Sequence, residues 1–122
     1  HSYTGNALAC RAALATLDIF AEDNVLAQNR VRARKIADAL APLGDHSKVI
    51  HLRQKGMIAA FDVRTDDPYF SRKFYRAALE REALVRPIGS TVYLMPPYIV
   101  SDEEIAHLAK SIRAALDCAL SA

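Results

Sequence analysis

Lys48-Val49-Ile50-His51-Leu52-Arg53-Gln54-Lys55-Gly56-Met57-Ile58-Ala59-Ala60-Phe61-Asp62-Val63 is the stretch on which the fold turns. Two runs, 48–53 and 57–63, have the composition of strands and are joined around Gln54-Lys55-Gly56, a spacing that suits a hairpin. Upstream the apolar residues recur at helical spacing instead. Leu8, Ala12, Ala15 and Ile19 form one stripe, widened by Ala9, Leu14 and Leu17, and only Arg11 and Asp18 are charged. A helix so apolar around its circumference wants cover on more than one side, more than a chain of 122 residues supplies. The second helix, capped by Asp23 or Asn24, carries Val25, Leu26, Val31, Ile36, Ala39 and Leu40, and stops near Pro42 and Gly44.

Downstream, Asp66-Asp67-Pro68 is expected to open a third helix with Pro68 in its first turn. Phe70, Phe74, Ala77, Ala78 and the Leu79 region form its buried stripe. A short strand at 84–87 leads through a turn at Gly89-Ser90 into another at 91–95, ended by Pro96-Pro97 because proline has no ladder donor. Ser101 and Glu104 make a capping box for the last helix, whose apolar face holds Ile105, Leu108, Ile112, Ala115, Leu116 and Ala119. Helix, helix, strand, strand, helix, strand, strand, helix describes an α+β two-layer sandwich, a small antiparallel-type sheet covered by helices.

Composition narrows the function classes. The chain is 52% hydrophobic and 25% charged, with 16 basic and 14 acidic residues and a net charge of +2. This is the balance of a globular protein and lacks the clustered basic surface that nucleic acid or an anionic membrane requires. The basic cluster from Arg30 to Lys35 alternates with apolar residues and reads as a solvated helix face. Cys10 and Cys118 are expected to be buried, reduced thiols of a cytoplasmic protein. Neither a bilayer-spanning run nor a signal-peptide pattern appears. The start at His1, without an initiator methionine and running at once into an apolar helix, reads as a chain cut from something longer.

No Gly-x-Ser-x-Gly elbow, His-Glu-x-x-His pair or Walker-type loop is present. His46, His51 and His107 lack partners at metal-ligand spacing, so no metal site and no self-contained catalytic set is assigned. The segment Arg86-Pro87-Ile88-Gly89-Ser90-Thr91-Val92-Tyr93-Leu94-Met95-Pro96-Pro97-Tyr98 is different. A guanidinium binds carboxylate through two parallel N–H bonds and keeps its charge at any physiological pH. Arg86, held by Pro87, is placed to act as such a clamp, the other reading being a surface ion pair. Pro87, Gly89 and Pro96-Pro97 constrain the backbone around Tyr93 more than a surface hairpin needs.

Val-Arg-Pro-Ile-Gly-Ser-Thr-Val-Tyr-Leu-Met-Pro-Pro-Tyr resembles the C-terminal signature of the adenosylmethionine-8-amino-7-oxononanoate aminotransferases, or diaminopelargonate synthases. His-Ser-Tyr-Thr-Gly-Asn-Ala-Leu-Ala-Cys resembles the segment before a long helix of that family's large domain, a motif shared with class-III aminotransferases at large. The strand pair between them is also similar, so the resemblance runs along essentially the whole chain.

That resemblance implies the C-terminal small domain of a fold-type I, pyridoxal 5'-phosphate (PLP)-dependent transaminase, with residues 1–22 ending the large domain and residues 23–122 forming the small one. It implies a cytoplasmic homodimer with active sites at the subunit interface. The reaction would move an amino group from S-adenosylmethionine to 8-amino-7-oxononanoate in biotin biosynthesis. Ser2 would touch the neighbouring subunit's PLP phosphate, unless it is a frayed end. Arg86 would hold the substrate carboxylate. Tyr93 would lie near the substrate or pack its ring into the small-domain core. The Schiff-base lysine would come from earlier in the enzyme, since Lys35, Lys48, Lys55, Lys73 and Lys110 match no PLP-lysine motif. The chain alone would then be inert and bind no PLP. Two other readings remain: another class-III ω-aminotransferase, and a non-catalytic α+β interaction module.

Overall fold

The computed structural model describes residues 5–121. Helix α1 (Ala7–Glu22) begins where Asn6 Oδ1 accepts the free N–H of Ala9 at 3.1 Å. Asn24 then adopts a left-handed conformation (φ 48°), which asparagine tolerates better than most residues. It turns the chain into α2 (Val25–Leu40), and its side chain makes no cap bond there. A 3₁₀ turn (Ala41–Asp45) follows, with Leu43 buried beneath it.

Three antiparallel strands come next in the order β1-β2-β3: β1 (Val49–Lys55), β2 (Ile58–Val63) and β3 (Thr91–Leu94). The hairpin expected from the sequence is present, pairing Val49 with Val63 and Lys55 with Ile58. Central β2 alternates cleanly. Ala59, Phe61 and Val63 are buried, while Ala60 and Asp62 face the other side. Edge strand β1 is interrupted between Ile50 and Arg53, where the register shifts and His51 takes a positive φ of 53°. Such irregularities keep an edge from pairing with another chain.

Helices α3 (Phe70–Leu79) and α4 (Asp102–Ser121) pack together. Their Phe70, Phe74, Ile112 and Leu116 join Ile36 and Leu40 of α2 and Phe61, Val63, Val92 and Leu94 of the sheet in one core. The capping box is as expected: Ser101 N–H donates to Glu104 Oε2 at 2.8 Å, and Glu104 N–H to Ser101 Oγ at 3.2 Å. The α+β class and the antiparallel sheet under helices are thus borne out.

Four local expectations are corrected. Residues 84–87 form no strand, because Val85 N–H turns back to Ala83 O and Pro87 has no N–H to offer; only the pair Ile88–Thr91 is joined there. Helix α3 starts at Phe70, not around Pro68. Asp67 Oδ1 accepts from Tyr69 N–H at 2.8 Å, making 67–69 a turn before the helix. Leu79 is exposed at the end of α3. Cys10 and Cys118 are exposed as well, since α1 buries none of its residues and Cys118 lies on the outer side of α4.

Helix α1 stands apart in another way. Leu8, Leu14, Leu17 and Ile19 are more than half exposed, Leu8 at 83%. Phe20 packs edge-on against Tyr98, with ring centroids 6.0 Å apart, tying the helix end to the segment after β3. No helix among the described residues is long and apolar enough to cross a membrane.

Candidate functional site

The free edge of β3 borders a cleft of about 680 Å³. Its walls come from α3 (Tyr75), the segment 82–86, the residues 93–97 that leave β3, and α4 (Glu104, His107). Arg86 and Tyr93 both line it, so the two residues singled out in the sequence are brought together. Tyr93 is half-buried and Arg86 is exposed.

The register explains why a cleft opens here. Ile88 and Thr91 exchange both backbone hydrogen bonds, at 2.9 and 3.0 Å. Continuing that antiparallel pairing would set Arg86 opposite Tyr93. The ladder stops after one pair, however, and the two chain segments part. Because alternate residues of a strand direct their N–H and C=O to opposite sides, Tyr93 turns its backbone groups toward this open edge while Val92 and Leu94 bond β2.

Among the described residues no carboxylate lies within ion-pair distance of Arg86. Glu104 lines the same cleft but accepts the Ser101 N–H, and its carboxylate belongs to the α4 cap. Arg86 therefore offers its donors to an incoming group. Apolar surface shares the cleft with them: Leu84 and Met95 are exposed and form part of its wall. A cation in a largely apolar cleft, which Glu82 and Glu104 also line, suits a ligand with a carboxylate at one end and an aliphatic chain behind it. Tyr75 and His107 were not anticipated as cleft residues. The i, i+3 spacing of Glu104 and His107 on α4 was the available signal, since it puts both on one side of the helix.

On the outer face of the sheet, Asp62 gathers four hydrogen bonds. Arg53 donates through both terminal nitrogens at 3.1 Å, Thr91 Oγ1 donates at 2.8 Å, and His51 Nδ1 lies 3.0 Å away. The Arg53 guanidinium first, then Thr91 and His51, hold the Asp62 carboxyl down to about 2 from the ordinary 3.8. A carboxyl depressed by folding adds stability that is complete above its unfolded value and vanishes as the pH falls through the folded one. Acid melts of the chain should therefore lose this contribution between 3.8 and about 2. Asp62→Asn should flatten the melting temperature against pH in that window. An unchanged slope would mean that the cluster adds nothing.

No lysine lines the cleft. Lys35 is bound to Asp102 at 2.6 Å and Lys73 to Asp67 at 2.8 Å. Ser2, expected at the cofactor phosphate, lies outside the described residues. The described residues also contain no group of three His, Cys, Asp or Glu side chains able to hold a metal.

Residues 1–116 match the family model for class-III aminotransferases, and the chain belongs to that family. It is similar to the adenosylmethionine-8-amino-7-oxononanoate aminotransferase of Helicobacter pylori, with 43% identity over 86% of this chain and 25% of that protein. Among solved structures, the enzyme of the same name from Methanocaldococcus jannaschii superposes with a TM-score of 0.84 at 32% identity, covering 96% of this chain and 29% of that one. An amine transaminase from an uncultivated Pseudomonas species, solved in a PLP-bound form, gives a TM-score of 0.86 at 29% identity over 97% of this chain and 29% of its own. The chain thus spans about a quarter of the length of the curated relatives it matches.

Proposed function

We propose that the chain is the C-terminal, carboxylate-recognising part of a PLP-dependent aminotransferase, one that transfers an amino group from S-adenosylmethionine to 8-amino-7-oxononanoate and yields 7,8-diaminononanoate for biotin. The observation that carries this is the convergence of Arg86 and Tyr93 on one apolar cleft, in a chain whose relatives at 33–43% identity bear that enzyme's name. Arg86 grips the acceptor's carboxylate, Tyr93 borders the bound chain, and the apolar rim covers its methylenes and excludes water.

The reacting groups come from elsewhere. With no lysine in the cleft, the chain needs the large domain of the enzyme as its partner, and PLP belongs to the whole enzyme. Residues 1–22 are assigned to the end of that large domain, in keeping with a helix α1 none of whose residues is fully buried and whose apolar side chains stay largely exposed. Residues 23–122 are the small domain. Ser2 is assigned to the PLP phosphate of a homodimer's second subunit, in the cytoplasm.

The isolated chain is expected to develop no lysine-linked PLP absorbance and no turnover, whereas the full-length enzyme carrying it aminates 8-amino-7-oxononanoate with S-adenosylmethionine as donor. Turnover by the isolated chain would defeat the assignment. A full-length enzyme that ignores S-adenosylmethionine but accepts simple amines would favour the second reading, another class-III ω-aminotransferase, which the likeness to the amine transaminase supports. Family membership over residues 1–116 leaves the interaction-module reading without a basis.

A further inference from the structure

We infer that Ser71 and Asp62 are positioning residues for Arg86. They anchor the turn after the arginine from two independent elements and so aim its guanidinium into the cleft. The inference rests on Arg86 being the carboxylate anchor proposed above.

Arg86 itself is tied to nothing among the described residues, yet a clamp must be held in one geometry to bind through two parallel bonds. What fixes it is the chain immediately after it. Pro87 locks its own φ and restricts Arg86 to extended conformations. Pro87 is buried, and its carbonyl accepts a hydrogen bond from Ser71 Oγ at 2.9 Å, made from the first turn of α3. Two residues on, Gly89 takes a positive φ of 59°, and the turn closes through the Ile88–Thr91 pair. Its far side is anchored to β2: Ser90 O accepts from Val63 N–H at 3.0 Å, and Thr91 Oγ1 donates to Asp62 Oδ1 at 2.8 Å. Asp62 is in turn braced by the paired donors of Arg53.

The turn is therefore held at its entrance by a helix and at its exit by the central strand, while the segment before it has no ladder partner at all. Neither Ser71 nor Asp62 lines the cleft. Their effect on a ligand passes through the direction in which Arg86 leaves Pro87.

The test uses the full-length PLP-loaded enzyme with 8-amino-7-oxononanoate and, as a probe without the negative charge, its methyl ester. Ser71→Ala and Thr91→Val each remove one anchor with little change in volume; Thr91→Ser keeps the hydroxyl. Each of the first two should raise KM for the acid about five- to tenfold, the size expected for one lost hydrogen bond. The ester's KM and kcat should hold, and Thr91→Ser should behave as the parent. Equal effects on acid and ester, or none on either, would overturn the positioning role provided that Arg86→Ala in the same assay raises KM for the acid and leaves that for the ester unchanged. An Arg86→Ala variant whose KM for the acid stays at the parent's value would instead sink the anchor reading, and this inference with it. Two variants on separate elements protect the test against one of them merely failing to fold.

Discussion

Replacing Arg86 by alanine in the full-length enzyme should lower kcat/KM for 8-amino-7-oxononanoate by about a hundredfold or more. Hydrogen bonds to charged groups are worth roughly 1.5–3 kcal/mol each, and a bidentate clamp makes two. Losing both corresponds to ~3–6 kcal/mol, offset by water that enters the cleft mouth and solvates the carboxylate. Arg86 is exposed and without an ion pair among the described residues, so its removal orphans no partner among them and the fold of this chain should be untouched. The loss should therefore appear in KM for the acid, with the melting temperature constant. Arg86→Lys should recover only part of it, because a lysine ammonium restores the charge without the planar fork. If alanine leaves KM for the acid as it was, Arg86 is a surface arginine and the functional assignment loses its anchor.

Much of the fold could be read from local pattern because local physics decides it. The period of two through Ala59, Phe61 and Val63 and the reciprocal bonds of Ser101 and Glu104 are written in adjacent residues and survive in the structure unchanged. Where the reading failed, a competing interaction won. The apparent strand at 84–87 has the right residues, but Val85 N–H is taken by Ala83 O and Pro87 supplies no donor. The start of α3 moves to Phe70 because the Asp67 carboxylate accepts Tyr69 N–H and pairs with Lys73, favouring a turn over a first helical turn at Pro68. The cysteines look buried because they sit among apolar neighbours, but the apolar surface of α1 faces outward in this chain.

The site divides in the same way. Arg86 and Tyr93 lie in one short motif, so their association could be anticipated. Tyr75 and His107 meet at the cleft because α3 and α4 pack together; the spacing of Glu104 and His107 puts those two on one side of α4 but does not say that Tyr75 of α3 joins them. The Ser71 hydroxyl is a similar case, since its bond to Pro87 spans sixteen residues of sequence.

The largest loss of stability should come from Phe61→Ala. Phe61 is fully buried in the central strand, at 0% exposure, among the aromatic and aliphatic side chains of α3 and α4. Truncating such a residue removes its transfer free energy and leaves a cavity, together about 3–5 kcal/mol. Domains of this size are stable by about 5–15 kcal/mol, so the variant should melt about 10–20 °C lower. Phe61→Leu, which keeps most of the volume, should cost markedly less. Leu17→Ala on the exposed α1 should change the isolated chain's melting temperature little, as its side chain is 64% exposed. Phe61 also lies between Ala60 and Asp62 on the strand that registers β3. In the full-length enzyme its truncation should weaken acceptor binding only together with stability, so that melting temperature and KM move in step. Thr91→Val should separate them, shifting KM for the acid with a much smaller loss of melting temperature, that of one hydrogen bond to Asp62. A Phe61→Ala variant that melts like the parent would mean that β2 does not carry the core, and the geometry by which the sheet aims Arg86 would have to be redrawn.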